Sequence, residues 1–495
     1  VTESTLGTLL DACELEPLAN SGLIQNIGVL LQIDRATGLI RYVSDNTAAF
    51  FGDAPAELVG KDGLAWIREF LPDASDLPAA AGRRLLLKRA LDLGFGELDV
   101  LVSATATGWL LEFEPSIEPP VDPATIALKP VAEPVDAAAL AAAQQDLVDR
   151  VAEATGYDRA MLYEFKADWS GEVLAEAVSG AAGSYLGLRF PASDIPAIAR
   201  ALYAQTPYRH IPDATLEPIA ILGASQQAST LDLTWSDLRS VSPVHREYLR
   251  NMQVAASFSV SVMVEGKLWG LVACHHSAPR TVPVATRIRC QELVLQYVSA
   301  LTSYRRQIQK ARLERLAGIL PPALGTSAAI NQTLRDRLAE IAGLFDADFA
   351  AMVVDDTVTQ SRSGEDPERI RQVHAWCVAN QSASVAAYDH LPGDLRTQSR
   401  TSGAGPCGLL SVSVRAKRQG NQLVGFYFFR PEEAVEIAWA GKPEKSVETA
   451  GGAVKLSPRH SFEKWVEVRT GFSRPWDALA LFTAVQMQRR LEAVL

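Results

Sequence analysis

From residue 286 to Gly318 the chain runs without a proline or an internal glycine. Val294, Val298, Leu301 and Ile308 recur along one stripe of this stretch, and arginines crowd the other. A helix of that length spans roughly 50 Å at 1.5 Å per residue, more than a small domain is wide. It must bridge domains or pair with a second chain, so a helical spine is expected, with separate cores on either side. The 495 residues agree, because one hydrophobic core rarely grows that far and the length suggests about three domains.

With 48% hydrophobic and 21% charged residues, the composition is that of a globular protein. A net charge of −11 without clustered Lys and Arg excludes a nucleic-acid partner. No apolar run approaches the ~18 residues of a membrane helix, and Val1-Thr2-Glu3-Ser4 does not open a signal peptide, so a cytoplasmic, membrane-free protein is expected. Five scattered cysteines make no disulfide framework. Cys274, Cys290 and Cys377 sit in apolar or amphipathic patterns and read as buried thiols, whereas Cys13 lies in a polar N-terminal arm where no core position is expected.

After that arm, 29–33 and 40–43 read as a hairpin, and alternation resumes at 98–102 and 108–113, giving a small α+β domain over 1–115. Six prolines between Glu114 and Pro134 mark a linker, 116–135. A helix begins behind Asp136 and stops at Gly156. Within the second domain, 136–305, the clearest strand pair is 257–264 with 268–274. Period two sets Phe258, Val260, Val262 and Val264 on one face and Ser257, Ser259 and Ser261 on the other. That hydroxyl face is either a solvated surface or the polar wall of a pocket. The third domain, 306–495, holds a second strand pair, 409–414 with 423–429, and then an irregular stretch, 431–458, of the kind that forms lids or interaction arms. The last helical stretch, 476–495, has no cap signal, and the chain is expected to continue beyond it.

Phe190-Pro191-Ala192-Ser193-Asp194-Ile195-Pro196 is the most unusual segment, because two prolines stiffen the backbone around one acidic residue. Asp194 either caps the following helix or is presented to a ligand. The glycine spacing of Gly403-Ala404-Gly405-Pro406-Cys407-Gly408 imitates a dinucleotide fingerprint but is followed by a strand, not a helix. His275-His276 point to opposite faces of a strand and have no further ligands at metal spacing, so no metal is expected. No nucleophile elbow, Walker loop or kinase signature occurs, and no enzyme is expected. What remains is a set of polar residues on apolar elements of the second domain: Tyr163, Tyr203, Arg209, Arg239, Ser242, His245, Tyr248, Ser257, Ser259 and His275. They suit a large ligand with carboxylates and ring nitrogens, since Arg is the natural fork for a carboxylate.

Cys13 with Glu16-Pro17, the segment around Asp194, Ser242-Pro243-Val244-His245 with Tyr248, Cys274-His275-His276 and Ser457-Pro458-Arg459-His460-Ser461-Phe462 together resemble a bacteriophytochrome photosensory core. The resemblance covers the whole chain in the order PAS, GAF, PHY: α+β, three tandem domains joined by long helices, with a PHY tongue at about 405–465. It implies a red/far-red photoreceptor whose GAF pocket holds biliverdin IXα, a linear tetrapyrrole, through a thioether to Cys13. Val244 stands where relatives that carry more reduced bilins have their cysteine. By the same resemblance, the Asp194 carbonyl, with Ile195 next to it, would take the pyrrole N–H groups. His245 would tune chromophore protonation, helped by a side chain whose pKa lies near neutrality, and Tyr248 would stand beside it. Arg209 and Arg239 would hold the propionates with Ser242, Ser257 and Ser259, while Tyr163, Tyr203 and His275 would lie near the D ring. Arg459 would pair with Asp194 until D-ring isomerisation releases it, with Ser461 the candidate new partner as the tongue refolds. A homodimer through the spine and an output module, such as a histidine kinase acting on a response regulator, would follow. Two departures bear on this: Asn26-Ile27 replaces the usual Pro-His of the arm, and Trp439-Ala440-Gly441 puts Ala in place of a glycine that the tongue uses. The competing reading is a light-independent PAS/GAF sensor of a cyclic nucleotide or haem, in which Cys13 and Arg459 have no role.

Overall fold

A computed structural model describes residues 18–69, 71, 76–94, 96–118, 132–180, 183–224, 231–320, 327–363, 365–380, 383–392, 395, 406–416, 422–443, 446–450, 453–457 and 459–495. Cys13 lies outside these residues, as do most of the 116–135 linker and the turn between the third domain's strands. Helix and sheet are mixed throughout. The chain divides into two compact units, one running to Thr302 and including Ala438–Trp465, the other made of Ser303–Ile437 and Val466–Leu495.

Among the described residues the first unit contains two large sheets and a small two-stranded one, Ser446–Ala450 with Ala453–Ser457. One has seven strands in the order Leu23–Ile24, Ile219–Gly223, Ile40–Ser44, Val29–Asp34, Gly108–Pro115, Glu97–Ala104 and Arg84–Asp92. Its hairpin closes because the Asp34 carboxylate accepts the N–H groups of Ala36 and Thr37 at 3.1 and 3.0 Å, an Asx turn. The strand Ile219–Gly223 belongs by sequence to the second domain, yet it pairs here between the arm and Ile40–Ser44. The arm departure at Asn26-Ile27 is accommodated next to it. Gln25 donates its amide to the carbonyls of His210 (3.0 Å) and Asp237 (3.2 Å), and its N–H to Leu238 O at 2.7 Å.

The second sheet runs Tyr208–Ile211, Ala256–Val264, Lys267–His276, Arg159–Phe165, Gly171–Val178 and Arg189–Phe190, then Val435–Ala440 and Lys464–Arg469. Phe258, Val260, Val262 and Val264 face a core shared with the helix Ala137–Thr155 and with Cys290, Leu293, Val294, Tyr297 and Leu301 of the helix Val284–Ile319. The first of these helices starts and stops on its sequence signals. The Asp136 carboxylate accepts the Ala139 N–H at 2.7 Å, and Gly156 is left-handed. Cys274, Cys290 and Cys377 are buried, as their patterns indicated.

In the second unit, five strands are ordered Thr357–Gln360, Phe349–Val354, Gln422–Pro431, Pro406–Ala416 and Val385–Tyr388. One expectation changes. The stretch 431–458 is not irregular: it contains Val435–Ala440 and an antiparallel pair, Ser446–Ala450 with Ala453–Ser457. Within 405–465, Pro406–Ala416 and Gln422–Pro431 are paired in the second unit's sheet, and Ala438–Trp465 groups with the first unit. Period-two patterning identified the strands there, but it carries no information about where a hairpin stops being sheet core and becomes an excursion.

Candidate functional site

The sheet face opposite the Phe258 core borders a cavity of about 230 Å³, many times the ~10–15 Å³ that one water needs. Its walls include every residue singled out from the sequence except Cys13, which lies outside the described residues, and Ser461. Ser461 is exposed, and its hydroxyl accepts the Glu463 N–H at 3.4 Å.

The face carrying Ser257 and Ser259 is therefore a pocket wall and not a solvated surface; both residues are buried and border the cavity. Ser261, beyond its end, donates to Thr206 O at 3.0 Å. His275 shares this wall, while its neighbour His276 turns away to pair with Asp158 at 3.0 Å. Tyr163 enters at a register shift in its strand, where a bulge re-aims the side chain, and lies over Gly171; a Cβ there would fall on the phenol ring. Three buried polar atoms facing this region have no hydrogen-bond partner among the described residues: Tyr163 Oη, His275 Nδ1 and Ser193 Oγ. Buried polar groups are normally satisfied, so these fit a ligand bearing polar atoms.

The arginines point the same way. Arg209 donates to the carbonyls of Arg239 (2.5 Å), Ser240 (2.9 Å) and Asp237 (3.4 Å), and Arg239 to those of Leu233 and Thr234, both at 3.4 Å. Among the described residues neither forms an ion pair. Burial and the neighbouring Arg239 push the Arg209 guanidinium down to about 9, against the weaker opposing effect of Tyr203, Asp237 and Glu112 nearby. Both imidazoles are held neutral at pH 7 rather than close to titration. Burial, with Arg209 nearby, lowers His245 to about 4; burial, then Arg159 and His245, lowers His275 to about 3.

Sequence reasoning missed the frame behind these arginines. Glu112 accepts from Ser236 Oγ (2.5 Å) and from the N–H groups of Leu238 (2.8 Å) and Asp237 (3.1 Å), fixing the segment whose carbonyls clasp Arg209. Burial and Asp237 push its carboxyl up to about 7. Asp237 is itself gripped by Arg84 and by the fully buried Arg287, which also pairs with Glu114 at 2.5 Å. The one local signal was Glu112 and Glu114 alternating with core residues along 108–115; that this second face is buried is a tertiary fact.

Asp194 does not cap the helix Ala197–Tyr203. Pro196 stands at that position and makes no side-chain cap bond. The Asp194 carboxylate instead forms a two-point pair with Arg459 and accepts the Tyr248 hydroxyl at 3.0 Å. The pair is secluded, with side-chain exposures of 3% for Arg459 and 6% for Asp194. Arg459 also donates to Ala440 O and lies over the Phe462 ring at 5.1 Å. The substituted Ala440 ends an extended strand and is completely buried, while the left-handed turn falls to Gly441 at φ 81°; the alanine thus meets no φ > 0 requirement. No group of residues able to hold a metal ion occurs among the described residues.

Known proteins match along the chain. The PAS fold family matches residues 13–116, the GAF domain 139–301 and the phytochrome region 313–495. A bacteriophytochrome of Pseudomonas aeruginosa is 33% identical over 96% of this chain, and cyanobacterial phytochrome B of a Nostoc species 31% identical over 97%. The chain spans 65% of the length of each. Among solved structures, a bacteriophytochrome of the photosynthetic bacterium R. palustris superposes with a TM-score of 0.80 at 27% identity, covering 98% of this chain and 99% of its own. The photosensory core module of a Stigmatella aurantiaca phytochrome gives 0.77 at 31% identity, covering 97% of both chains. With all three family domains in order and solved phytochrome structures matching 97–98% of its length, the chain belongs to the phytochrome photoreceptors and carries their PAS-GAF-PHY photosensory module.

Proposed function

We propose that the cavity binds biliverdin IXα and that the module switches between red- and far-red-absorbing forms. The observation that carries this reading is the pair of enclosed guanidiniums, Arg209 and Arg239, which hold only main-chain carbonyls and form no ion pair among the described residues. A ligand with two propionates supplies both missing charges, and charge-assisted bonds from Arg to carboxylate are among the strongest a site can make. Its polar ring edges suit the unpartnered Tyr163 Oη, Ser193 Oγ and His275 Nδ1. When bound, the bilin supplies visible absorption and a D ring that photoisomerises.

The chain's own residues do the rest. Arg209 and Arg239, with Ser242, Ser257 and Ser259, orient the acid side chains. Neutral His245 and His275 can each both accept and donate a hydrogen bond. Cys13 would hold the ligand as a thioether, its S–H adding across the A-ring vinyl group. Asp194 and Arg459 hold the tongue against the pocket, and exchange of that pairing, with Ser461 the new partner, refolds the tongue. The helix Val284–Ile319, which runs from the first unit into the second, passes the change to an output module such as a histidine kinase and dimerises with a second copy in the cytoplasm.

Mixing the protein with biliverdin tests the reading. A red band that converts reversibly under red light is expected; absence of any visible band rejects it in favour of another small ligand. Cys13→Ala is expected to bind bilin without retaining it on a denaturing gel, and zinc fluorescence of the mutant band on that gel counts against the thioether.

A further inference from the structure

The helix Pro243–Asn251 carries His245, Tyr248 and Asn251 at three-residue intervals, a spacing that sets them along one face. His245 borders the cavity and stacks on Tyr248, with ring centroids 5.9 Å apart and planes 13° from parallel. One turn on, Tyr248 donates to Asp194 at 3.0 Å and meets Phe462 of the tongue edge-on at 5.4 Å. At the end of the helix, the Asn251 side-chain amide donates to the main-chain carbonyl of Arg459 at 3.2 Å. Arg459 is thus held from two sides: Asp194, itself gripped by Tyr248, takes the guanidinium, and Asn251 takes the backbone. Both holds lead back to the helix that bears His245.

We propose that Asn251 is a positioning residue, a clasp on the tongue's main chain that delivers the Arg459 guanidinium to Asp194 and makes this helix the lever between cavity and tongue. The physical reason is entropic. An arginine stem has many rotamers, and fixing its backbone beforehand reduces the freedom that the ion pair must remove on its own. The lever rests on the bilin reading above; the clasp concerns the protein alone.

Hydrogen exchange at 459–464, measured without bilin, tests the clasp in Asn251→Ala and in Asn251→Asp, which keeps the shape but removes the donor. Exchange there is expected to be about fivefold faster in the alanine variant, the change that losing one ordinary hydrogen bond produces, and faster still in the aspartate variant. The amides of 246–250 should keep their protection, which a merely frayed helix would not allow. In an Arg459→Ala background, Asn251→Ala should add less than in the wild type, because the main-chain bond remains to be lost but no guanidinium remains to be delivered. Unchanged exchange in both variants, or an equal effect in that background, overturns the clasp; should the alanine variant not fold, the aspartate variant decides alone. With biliverdin bound, Asn251→Ala is expected to leave the ground-state absorption in place and to slow thermal return of the photoproduct about fivefold, since the contact is made in the docked state. Unchanged return beside faster exchange overturns the lever. A wild type that takes up no bilin rejects the underlying reading and leaves the exchange result standing.

Discussion

Two sheets of this molecule solve the same packing problem in opposite ways. In the first unit, the strand Ala256–Val264 turns Phe258, Val260 and Val262 into a core and leaves Ser257 and Ser259 on a hollow. In the second unit, Gln422–Pro431 turns Val424, Phe426 and Phe428 one way and Tyr427 and Phe429 the other, so both faces are filled. Phe349 stacks on Phe429 at 4.5 Å, and Tyr427 reaches His374 at 2.6 Å. Small hydroxyls alternating with bulky apolar residues on a fully buried strand therefore mark a cavity, and alternating aromatics mark a closed layer. Volume decides: protein interiors pack densely, so a row of small side chains is either collapsed upon or reserved for a ligand.

The contrast can be tested by exchanging its terms. The largest effect is expected from Ser257→Phe, which puts an aromatic residue of the second unit's kind into the hollow of the first; it should abolish the visible band after biliverdin addition while far-ultraviolet circular dichroism is retained. Next, Phe426→Ala opens a hole in the filled sheet and should lower unfolding stability by about 3–5 kcal/mol, seen as a shifted denaturant midpoint, with bilin uptake unaffected. A bilin defect there would show that the two sheets are not independent in this respect.

Arg209→Met sharpens the charge argument and should act with opposite signs. Without bilin it removes an enclosed cation that has no ion pair among the described residues and should leave stability equal or higher. With bilin it should weaken binding by roughly 10- to 100-fold, the worth of a charge-assisted bond. Lower stability without bilin would mean that the carbonyl clasp, not the ligand, accounts for the residue. The smallest effect concerns pH. Glu112 is raised from 4.5 to about 7, so the folded state binds more protons than the unfolded state between those values, and its contribution falls as pH rises through them. The stability of wild type relative to Glu112→Gln should therefore decline from pH 4.5 to 7, and a pH-independent difference would refute the buried-acid assignment.

Much of this site was legible before any coordinates. Strand period alone set Ser257 and Ser259 on one face, and capping chemistry located the helix ends at Asp136 and Gly156. Other elements left no such trace. The strand Ile219–Gly223 has a pattern too short to assign, and it pairs with a sheet begun far upstream. Arg287 resembled the other arginines of its helix, yet it is fully buried because Glu114 and Asp237 converge on it from separate strands and loops. The face that a charge occupies depends on partners that local periodicity does not contain.

By itself the sequence determined the elements, their order and the chemistry available: a long spine, a strand with a hydroxyl face, a proline-stiffened aspartate, and a set of arginines and histidines on otherwise apolar elements. Tertiary structure decided which faces were buried and which charges met. Asp194 and Arg459 stand 265 residues apart, and no helical or strand period spans such a distance. Only once the tongue lies on the first unit does a residue that could have capped a helix become the buried partner of an arginine. Local propensity depends on near neighbours, whereas burial and pairing of charge depend on whatever the fold brings alongside.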